Sequence, residues 1–406
     1  MKAAFTLAQV ITNFGEDFNK TKQATPYIQK TFRAINRCRT ASMGGHVDQC
    51  SLSSCQHIRI SYNSCRNRHC PSCQSTQKEQ WISRMEYRTL PVSYFHGVFT
   101  VPHEFNGLCL RYPDLMYELL FKVVWATINE CSKHPQYGLK KTGMTAVLHT
   151  WGQKLWLHPH LHCIIPAGGL AIKTNGATSQ WKNLKGSKQK NKKNKDFLYP
   201  IDELKKKYKA KFMAALRKLI KQGLIEKQEP KFLNEVFNKN WVVYAKRPFA
   251  GAKQVINYLG RYTHKIAISN HRLLNITDQE VKFNYKDYDD KSKTKTMILD
   301  GVEFLRRISL HVLPKGFTKI RPGGVPHFGL HAGANQHIMD ALYQDFHHKP
   351  RPALVKENWK LIAFKKTGFI ENQCPKCKQN SLQTRAVWLV NRPPPQKYNN
   401  FIFNTL

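Results

Sequence analysis

The stretch His158-Pro-His-Leu-His162 carries histidines at alternate positions. The apolar run at 161–165 predicts a short buried strand, and side chains on a strand alternate between its two faces. His160 and His162 therefore project to the same side, where two imidazoles can share one metal ion. His158 has the same parity if the strand extends back through Pro159, a residue that suits a strand start or edge. Polar histidines on a solvated strand face give the same pattern, so the motif alone leaves both interpretations open.

A second concentration of metal ligands lies near the N-terminus. Of the 11 cysteines, six lie between positions 38 and 73, and in a reducing cytosol such a cluster favours metal binding over disulfide bonding. Cys70-Pro-Ser-Cys73 is a CxxC motif, and Cys50 and Cys55 upstream can complete a tetrahedral thiolate site with it. The sequence therefore predicts a zinc site from these four cysteines.

Other residues could hold further zinc ions. The ligands for a second site near the N-terminus are Cys38, His46, Cys65 and His69. Packed thiols and surface histidines would explain the same residues, so this second site stays open. A last CxxC, Cys374-Pro-Lys-Cys377, supplies half of a zinc site, which histidines such as His327 or His331 could complete.

Two tyrosines, Tyr258 and Tyr262, stand four residues apart in the segment 251–264. We expect this segment to be a helix, and residues four apart lie on one face of a helix. A tyrosine hydroxyl can act as a nucleophile. Because the chain holds 16 tyrosines, a pair at this spacing is weak evidence when taken alone.

The charge balance indicates a polyanionic partner. Lys and Arg number 65 against 26 Asp and Glu, which gives a formal net charge of +39. This excess supports strong, salt-sensitive binding to a phosphate backbone, although an anionic membrane surface or ribosomal packing would use the same electrostatics. Arg66 and Arg68, which sit between potential zinc ligands, are candidates for phosphate contact. Neither a membrane-spanning apolar run nor a secretory cleavage pattern is present, so we expect a cytoplasmic protein.

The elements that must position these residues are mixed in type. Helical periodicity is present near the N-terminus, at 114–132 and at 204–220, whereas β-branched and aromatic runs predict strands. The predicted strands are 94–101, 144–151, 161–166, 241–245, 281–285 and 296–299. Strands that are separated by a helix and then paired favour an α+β fold over a doubly wound sheet.

We expect three parts along the chain. Residues 1–80 hold the N-terminal helices and the zinc-binding domain, residues 81–310 hold the histidines and tyrosines, and residues 311–406 form a C-terminal extension with the last CxxC. A Lys-rich stretch at 176–197 has almost no apolar residues and cannot bury a core, so we expect it to be an insertion into the central part.

Taken in order, the motifs resemble those of one family. The motifs are, from the N-terminus, SCRNRHCPSCQ, HPHLHC followed by Gly168-Gly169, YLGRYTHKIAISNHRL, an FGL segment and CPxC. Their order is that of the transposases of rolling-circle insertion sequences of the ninety-one group. These are two-tyrosine members of the HUH endonuclease superfamily. The resemblance covers roughly residues 30–380. The family has a CxxC where this chain reads Cys50-Ser-Leu-Ser-Ser-Cys55, which leaves the zinc ligand set open.

The resemblance implies an HUH fold, an antiparallel sheet whose central strand carries His160 and His162, with Tyr258 and Tyr262 on a nearby helix. It implies a transposase that acts on single-stranded DNA at transposon ends and on target DNA, at the bacterial nucleoid. A tyrosine hydroxyl would attack the scissile phosphate and give a 5′-phosphotyrosine linkage with a free 3′-hydroxyl. A second tyrosine lets one stay linked to a strand while the other cleaves.

The resemblance also implies Mg²⁺ or Mn²⁺ at the histidines and structural Zn²⁺ at the cysteines. Spacing does not fix the third ligand of the catalytic ion. Gln254, one helical turn before the first tyrosine, is our first choice, ahead of His158 and His264. Arg261 and Lys265, beside the tyrosines, are candidates for DNA contact.

Two other functions remain open at this point. One is a plasmid or phage replication initiator with the same chemistry, which the zinc module and the terminal CxxC disfavour. The other is a zinc-containing nucleic-acid-binding protein without catalysis. Cleavage of a single-stranded oligonucleotide separates the latter from an enzyme.

Overall fold

The computed structural model describes the chain outside residues 1–2, 23, 172–179, 185–198, 250–253, 258–259, 261–266, 316, 318–326, 355–357 and 391–406. At residues 246–249 it describes the backbone alone. The chain divides into two compact units. Unit 1 contains residues 1–80, 264–312 and 355–406, and unit 2 contains residues 81–263 and 313–354.

The helices are α1 (Leu7–Lys22), α2 (Pro26–Asn36), α3 (Gln74–Arg88), α4 (Asn106–Arg111), α5 (Pro113–Lys133), α6 (Ile201–Lys221), α7 (Pro230–Asn238), α8 (Gly301–Ser309), α9 (Gln336–His347) and α10 (Trp359–Thr367). The strands are β1 (Gly45–Cys50), β2 (Ile58–Tyr62), β3 (Tyr94–Thr100), β4 (Gly143–Trp151), β5 (Leu157–Pro166), β6 (Gly168–Ala171), β7 (Gln180–Asn183), β8 (Val243–Phe249), β9 (Leu273–Ile276), β10 (Glu280–Asp287), β11 (Lys293–Asp300), β12 (His327–Gly329) and β13 (Leu382–Trp388). Among the described residues, no helix combines the length and the apolar character needed to cross a membrane.

Unit 2 is organised around a five-stranded antiparallel sheet in the order β12-β4-β5-β3-β8. The central strand β5 lies between β4 and β3, and it buries side chains on both of its faces. Its residues Leu161, Cys163, Ile164 and Ile165 are all buried, which explains the continuous apolar run in the sequence.

One face of this sheet packs against helices. Leu161 of β5 and Phe99 of β3 are paired across the two strands and so share a face. Phe99 contacts Tyr208 of α6, with ring centroids 5.3 Å apart, and both side chains are fully buried. Burying an aromatic side chain of this size contributes about 1.5–3 kcal/mol, and so this face anchors the helical layer to the sheet.

The opposite face carries His160, His162 and Ile164, which alternate with the residues of the first face. An apolar cluster covers part of this second face. It includes Val147 and Ile164 from the sheet, Trp81, Ile82 and Met85 from α3, Val255 and Ile256, and Met339 and Leu342 from α9. The histidines therefore lie on a sheet face that is partly closed by packed apolar side chains.

Unit 1 holds two smaller antiparallel sheets, ordered β13-β1-β2 and β11-β10-β9. In the first sheet, β1 pairs on one side with β2 and on the other with β13, so a strand near the end of the chain lies beside one near its start. Helix α8 packs against α1 so closely that a Cβ on Gly301 would lie 2.3 Å from the ring of Phe14. Glycine is the residue that permits this approach.

The structure confirms the expected α+β class, with antiparallel sheets flanked by helices. The predicted helix at 114–132 is α5, and the predicted strands at 144–151 and 161–166 are β4 and β5, the latter beginning earlier, at Leu157. Of the Lys-rich stretch at 176–197, residues 180–184 are described, and most of these form β7, which pairs with β6. The rest of the stretch lies outside the described residues.

The division into units differs from the three-part expectation. A boundary does fall near residue 80, but residues 264–312 and 355–406 join residues 1–80 in unit 1. Two contacts explain this grouping: β13 pairs with β1, and α8 packs against α1. Only residues 313–354 of the expected C-terminal extension belong to unit 2.

Candidate metal centre and cysteine sites

The hairpin of β4 and β5 sets the position of the candidate metal centre. The turn between the two strands contains Leu155 in the left-handed region, with φ of 63°. The register that follows places His149 opposite His160 and Val147 opposite His162. Because directly opposite residues of an antiparallel pair share a face, His149 joins the two histidines of β5.

Three imidazoles meet on this face. Ring nitrogens of His149, His160 and His162 all lie within 4.8 Å of one another, and all three side chains are buried. The Nε2 atoms of His160 and His162 are 3.2 Å apart. A buried group of three nitrogen ligands with this spacing can bind a single divalent cation.

Hydrogen bonds orient two of these rings. His160 Nδ1 lies 2.6 Å from the backbone oxygen of His158, and since a carbonyl only accepts, Nδ1 must donate its proton. The lone pair of His160 Nε2 is then available to a cation. His162 Nδ1 lies 2.9 Å from His96 Nε2 on β3, so this ring also has its Nε2 turned toward the group of three. Such partners on the outer nitrogen are typical of metal-binding histidines.

His158 does not join His160 and His162 as a metal ligand, although its parity in the sequence allowed this. The strand does extend back through Pro159, but the register between β4 and β5 shifts between His149 and Trp151. A shift of this kind breaks the two-residue alternation on which the parity argument depended. His158 lies outside the group of three imidazoles and is exposed, and it contributes its backbone carbonyl to His160 instead.

The segment expected to carry the tyrosines is described only in part. Residues 254–257 are helical, Gln254 is exposed, and Val255 and Ile256 are buried in the apolar cluster on the histidine-bearing face. The remaining residues predicted for this segment, Tyr258, Arg261, Tyr262, His264 and Lys265, lie outside the described residues.

The last CxxC groups with Cys50 and Cys55 and not with His327 and His331, the histidines that the sequence offered as its partners. Both belong to unit 2, and Thr145 Oγ1 lies 2.9 Å from Nδ1 of each. The cysteines of the CxxC belong to unit 1. Burial lowers the pKa of His327 to about 3 and that of His331 to about 4, and the charge of Arg88 adds to both shifts. These histidines are therefore neutral members of the unit 2 interior at neutral pH.

Four cysteines of the N-terminal region form one group, composed of Cys38, Cys65, Cys70 and Cys73. The Sγ of Cys73 is 3.3 Å from that of Cys38 and 3.6 Å from that of Cys65. Thiolates about 2.3 Å from a tetrahedral Zn²⁺ lie roughly 3.8 Å apart, so the group has the dimensions of a zinc site. Hydrogen bonds from Cys65 and Cys70 lower the pKa of Cys38, and the contacts with Cys38 in turn raise the pKa of Cys65 and Cys70, so the four thiols titrate as one group.

The expected grouping of cysteines is thus corrected. Cys70 and Cys73 lie with Cys38 and Cys65, whereas Cys50 and Cys55 lie with Cys374 and Cys377. The reason is the pairing of β1 with β13, which sets Cys50 opposite Leu382 and so brings the last CxxC to the end of β1. The sequence favoured a site made of Cys50, Cys55, Cys70 and Cys73 because these cysteines are close in sequence. The pairing of β1 with β13 cannot be read from the sequence.

The two histidines proposed for the second zinc site lie outside both cysteine groups. His46 Nε2 faces Asp48 Oδ2 at 3.5 Å, and His69 Nε2 accepts a hydrogen bond from Arg68 Nε at 3.2 Å. Arg66 is exposed and adopts φ of 50°, on the loop between Cys65 and Cys70. Of the two arginines predicted to contact phosphate, it is therefore the more accessible one.

His149 and His96 were missed by sequence reasoning. A signal for His149 was present, since positions 149 and 160 are equidistant from the turn at 154–155, and a tight hairpin would pair them. His96 has no comparable signal, because it reaches His162 from β3, which is remote in sequence.

Comparisons with known proteins match two parts of the chain to family models. Residues 10–101 match a family model described as "Transposase zinc-binding domain", and residues 143–337 match one described as "Putative transposase". The chain is 35% identical to "Putative transposase y4qJ" of Sinorhizobium fredii over 406 residues, 96% of this chain and 97% of that protein. It is 27% identical to "Transposase for insertion sequence element IS801" of Pseudomonas savastanoi pv. phaseolicola over 300 residues, 72% of this chain and 68% of that protein. No solved structure matches.

Proposed function

The chain belongs to the IS91 family of transposases, and from this premise we propose that it nicks and rejoins single-stranded DNA at transposon ends through a 5′-phosphotyrosine intermediate. The observation that carries the proposal is the convergence of His149, His160 and His162 on one face of the central sheet. Val255 and Ile256, just before the first tyrosine in sequence, pack on that same face.

The two tyrosines are the proposed nucleophiles. Tyr258 follows Gln254 by one helical turn, and the helical residues 254–257 are anchored to the histidine-bearing face. The sequence predicts that the same helix carries Tyr258. This arrangement supports a role for Tyr258 in attack on a phosphate held there.

His149, His160 and His162 would hold the catalytic cation, and their donor set fits such a group. When bound, a divalent ion would polarise the scissile phosphate and offset the charge that develops on its oxygens. Between the two expected ions, three imidazoles suit Mn²⁺ better than Mg²⁺, which prefers oxygen ligands.

The covalent step is a displacement at phosphorus. The Oη of one tyrosine bonds to the phosphorus, the bond from phosphorus to the 3′-oxygen breaks, and the 3′-oxygen takes up a proton. The tyrosine proton is lost in the same step, so charge and atoms balance. The phosphodiester energy stays in the phosphotyrosine linkage, and rejoining needs no nucleotide cofactor. The second tyrosine would allow a second strand to be cleaved while the first remains attached.

DNA contact is expected from cationic side chains. The net charge of +39 favours binding along a phosphate backbone. Arg66, Arg68, Arg261 and Lys265 are the proposed contacts, and among those described, Arg66 is exposed on the loop of the first cysteine group. Its left-handed backbone holds the side chain on a loop that zinc would make rigid.

The test is cleavage of a single-stranded oligonucleotide that carries a transposon end, followed on a denaturing gel with Mn²⁺ present. We expect the wild-type protein to release a 3′-hydroxyl fragment and to form a covalent adduct that maps to Tyr258 or Tyr262. Tyr258→Phe and His160→Ala should abolish nicking and leave oligonucleotide binding largely intact.

Tyr288→Phe is a matched control, since Tyr288 is an exposed tyrosine in unit 1. Its nicking should equal that of the wild type. An oligonucleotide left intact by the wild-type protein would instead favour a zinc-containing DNA-binding protein without catalysis. Normal cleavage by both active-site variants would overturn the assignment of these residues.

A further inference from the structure

We propose that Cys50, Cys55, Cys374 and Cys377 form a second structural zinc site, which we name the terminal clasp because it joins the two ends of the chain. The Sγ atoms lie 3.8 Å apart between Cys50 and Cys377 and 3.7 Å apart between Cys55 and Cys374. These distances equal the separation of roughly 3.8 Å expected for thiolates around a tetrahedral Zn²⁺. The zinc-binding match ends at residue 101, so it does not include the last two of these cysteines.

The local backbone presents the sulfurs in two short turns. Cys50 ends β1, and Cys55 lies in the turn that follows, where its N–H donates to the carbonyl of Leu52. In the CxxC turn, the N–H of Lys378 donates to the carbonyl of Cys374 at 2.9 Å. Two turns that each offer a pair of thiols to a shared point are the usual architecture of a thiolate zinc site.

The surroundings of the clasp suit a charged thiolate centre. Cys50 and Cys374 are buried, and the hydroxyl of Ser381 lies 3.1 Å from the Sγ of Cys50. This hydroxyl also donates to the carbonyl of Gln379 at 3.3 Å, and its single proton would turn to the Cys50 sulfur when that sulfur is a thiolate ligand. Leu382 packs against Cys50 and Cys374 of the same group.

A polar network beside the clasp links β1 to β13. The carboxylate of Asp48 on β1 is buried, accepts two hydrogen bonds from Arg59 and accepts another from the Thr384 hydroxyl of β13 at 2.8 Å. Arg59 also donates to the carbonyl of Glu371 at 2.9 Å. The C-terminal segment is therefore held at three places: by the clasp, by this network and by the ladder of β1 with β13.

With the clasp, the zinc-binding part of the protein includes β13 in addition to the N-terminal residues. β13 supplies the third strand of its sheet, with Trp388 opposite Gly45 at one end and Leu382 opposite Cys50 at the other. A Cβ on Gly45 would lie 2.8 Å from the Trp388 ring, so the close approach of the two strands depends on this glycine. The zinc-bearing part of the protein thus needs residues from both ends of the chain.

Metal content of the full-length protein tests the clasp. Co²⁺ substituted for zinc gives sulfur-to-cobalt charge-transfer absorption at thiolate sites, and we expect two such sites in the wild-type protein. In the double variant Cys374→Ser and Cys377→Ser, one site should remain, and native mass spectrometry should show the loss of one zinc ion per chain. Hydrogen exchange at β13 should quicken by at least about tenfold, because its strand is no longer fastened.

Cys131→Ser is the matched control, since Cys131 is a buried cysteine of α5 outside both groups. It should keep both thiolate sites and the protection of β13. If the double variant does not fold, the cobalt titration of the wild-type protein still decides the question. A single thiolate site in the wild-type protein, full zinc content in the double variant, or a disulfide joining Cys50 to Cys377 in the purified protein would each overturn the proposal. None of these measurements uses the nicking assay, so they test the clasp independently of the proposed nicking activity.

Discussion

His96 Nε2 lies 2.9 Å from His162 Nδ1, and both rings are buried on the face of the central sheet that carries the three imidazoles. The two rings belong to neighbouring strands, β3 and β5. When His162 donates its Nδ1 proton to His96, its Nε2 keeps a lone pair for the proposed cation. His96 is in this way a positioning residue for a metal ligand.

Replacing His96 should weaken metal binding. We expect His96→Ala to reduce the affinity for Mn²⁺ by about 10- to 100-fold, because His162 loses the partner that fixes its tautomer and orientation. Titration of free Mn²⁺ by electron paramagnetic resonance measures this, and excess Mn²⁺ should restore nicking. His158→Ala is the control, since His158 acts on His160 through its backbone carbonyl and should bind Mn²⁺ as the wild type does. Equal losses in the two variants would contradict the positioning role.

The third metal ligand is predicted to be His149. His149→Ala should lower Mn²⁺ affinity and nicking as far as His160→Ala does, by at least about 100-fold, because it removes one of three imidazoles. Gln254→Ala serves as the comparison, since Gln254 is exposed on the neighbouring helical residues. A large loss with Gln254→Ala and a small one with His149→Ala would reassign the ligand to the glutamine.

The choice of cation should follow from the nitrogen donors. We expect half-maximal nicking at a roughly tenfold lower concentration of Mn²⁺ than of Mg²⁺, because imidazole is a poor ligand for Mg²⁺. The measurement is the nicking rate of one oligonucleotide across a concentration series of each metal. A preference for Mg²⁺ would indicate that oxygen ligands dominate the site and would favour Gln254.

Acid should destabilise unit 2 through His327 and His331. Their folded-state pKa values of about 3 and about 4 lie below the ordinary value of 6.5, so the unfolded chain binds protons first. The stability that these neutral rings contribute is fully present above about pH 6.5 and is lost as the pH falls toward 4, by up to about 3 kcal/mol for His331.

Urea unfolding of the full-length protein at about pH 7 and at about pH 4.5, which is near the lower end of that window, checks this prediction. His331→Gln should show a smaller difference between the two midpoints than the wild type. His103→Gln is the control, because the side chain of His103 is 80% exposed, and it should retain the wild-type difference. An unchanged pH dependence in His331→Gln would show that other groups cause the acid sensitivity.

Much of the local structure could be predicted from the sequence. The run at 161–165 indicated a buried strand, and the alternation of side chains put His160 and His162 on one face, as the structure has them. Helix α5 was evident from its apolar stripe. These features depend on neighbours only a few residues away, where the period of a strand or a helix is decisive.

Other features depended on the tertiary structure. The parity argument for His158 failed at the register shift beside Pro159, which belongs to the pairing of two strands and not to either strand alone. The tyrosines lie outside the described residues, so their place beside the imidazoles remains a prediction from the sequence, supported by the packing of Val255 and Ile256.

The cysteines show the division most clearly. The sequence by itself predicted thiolate zinc chemistry, because six cysteines clustered near the N-terminus and two CxxC motifs were present, Cys70–Cys73 and Cys374–Cys377. The tertiary structure decided which thiols share a site, because β13 pairs with β1 and delivers Cys374 and Cys377 to Cys50 and Cys55. The type of ligand is a property of each residue and can be read from the sequence. A shared metal site requires residues distant in sequence to meet, and here the pairing of β13 with β1 brings the last CxxC to Cys50 and Cys55.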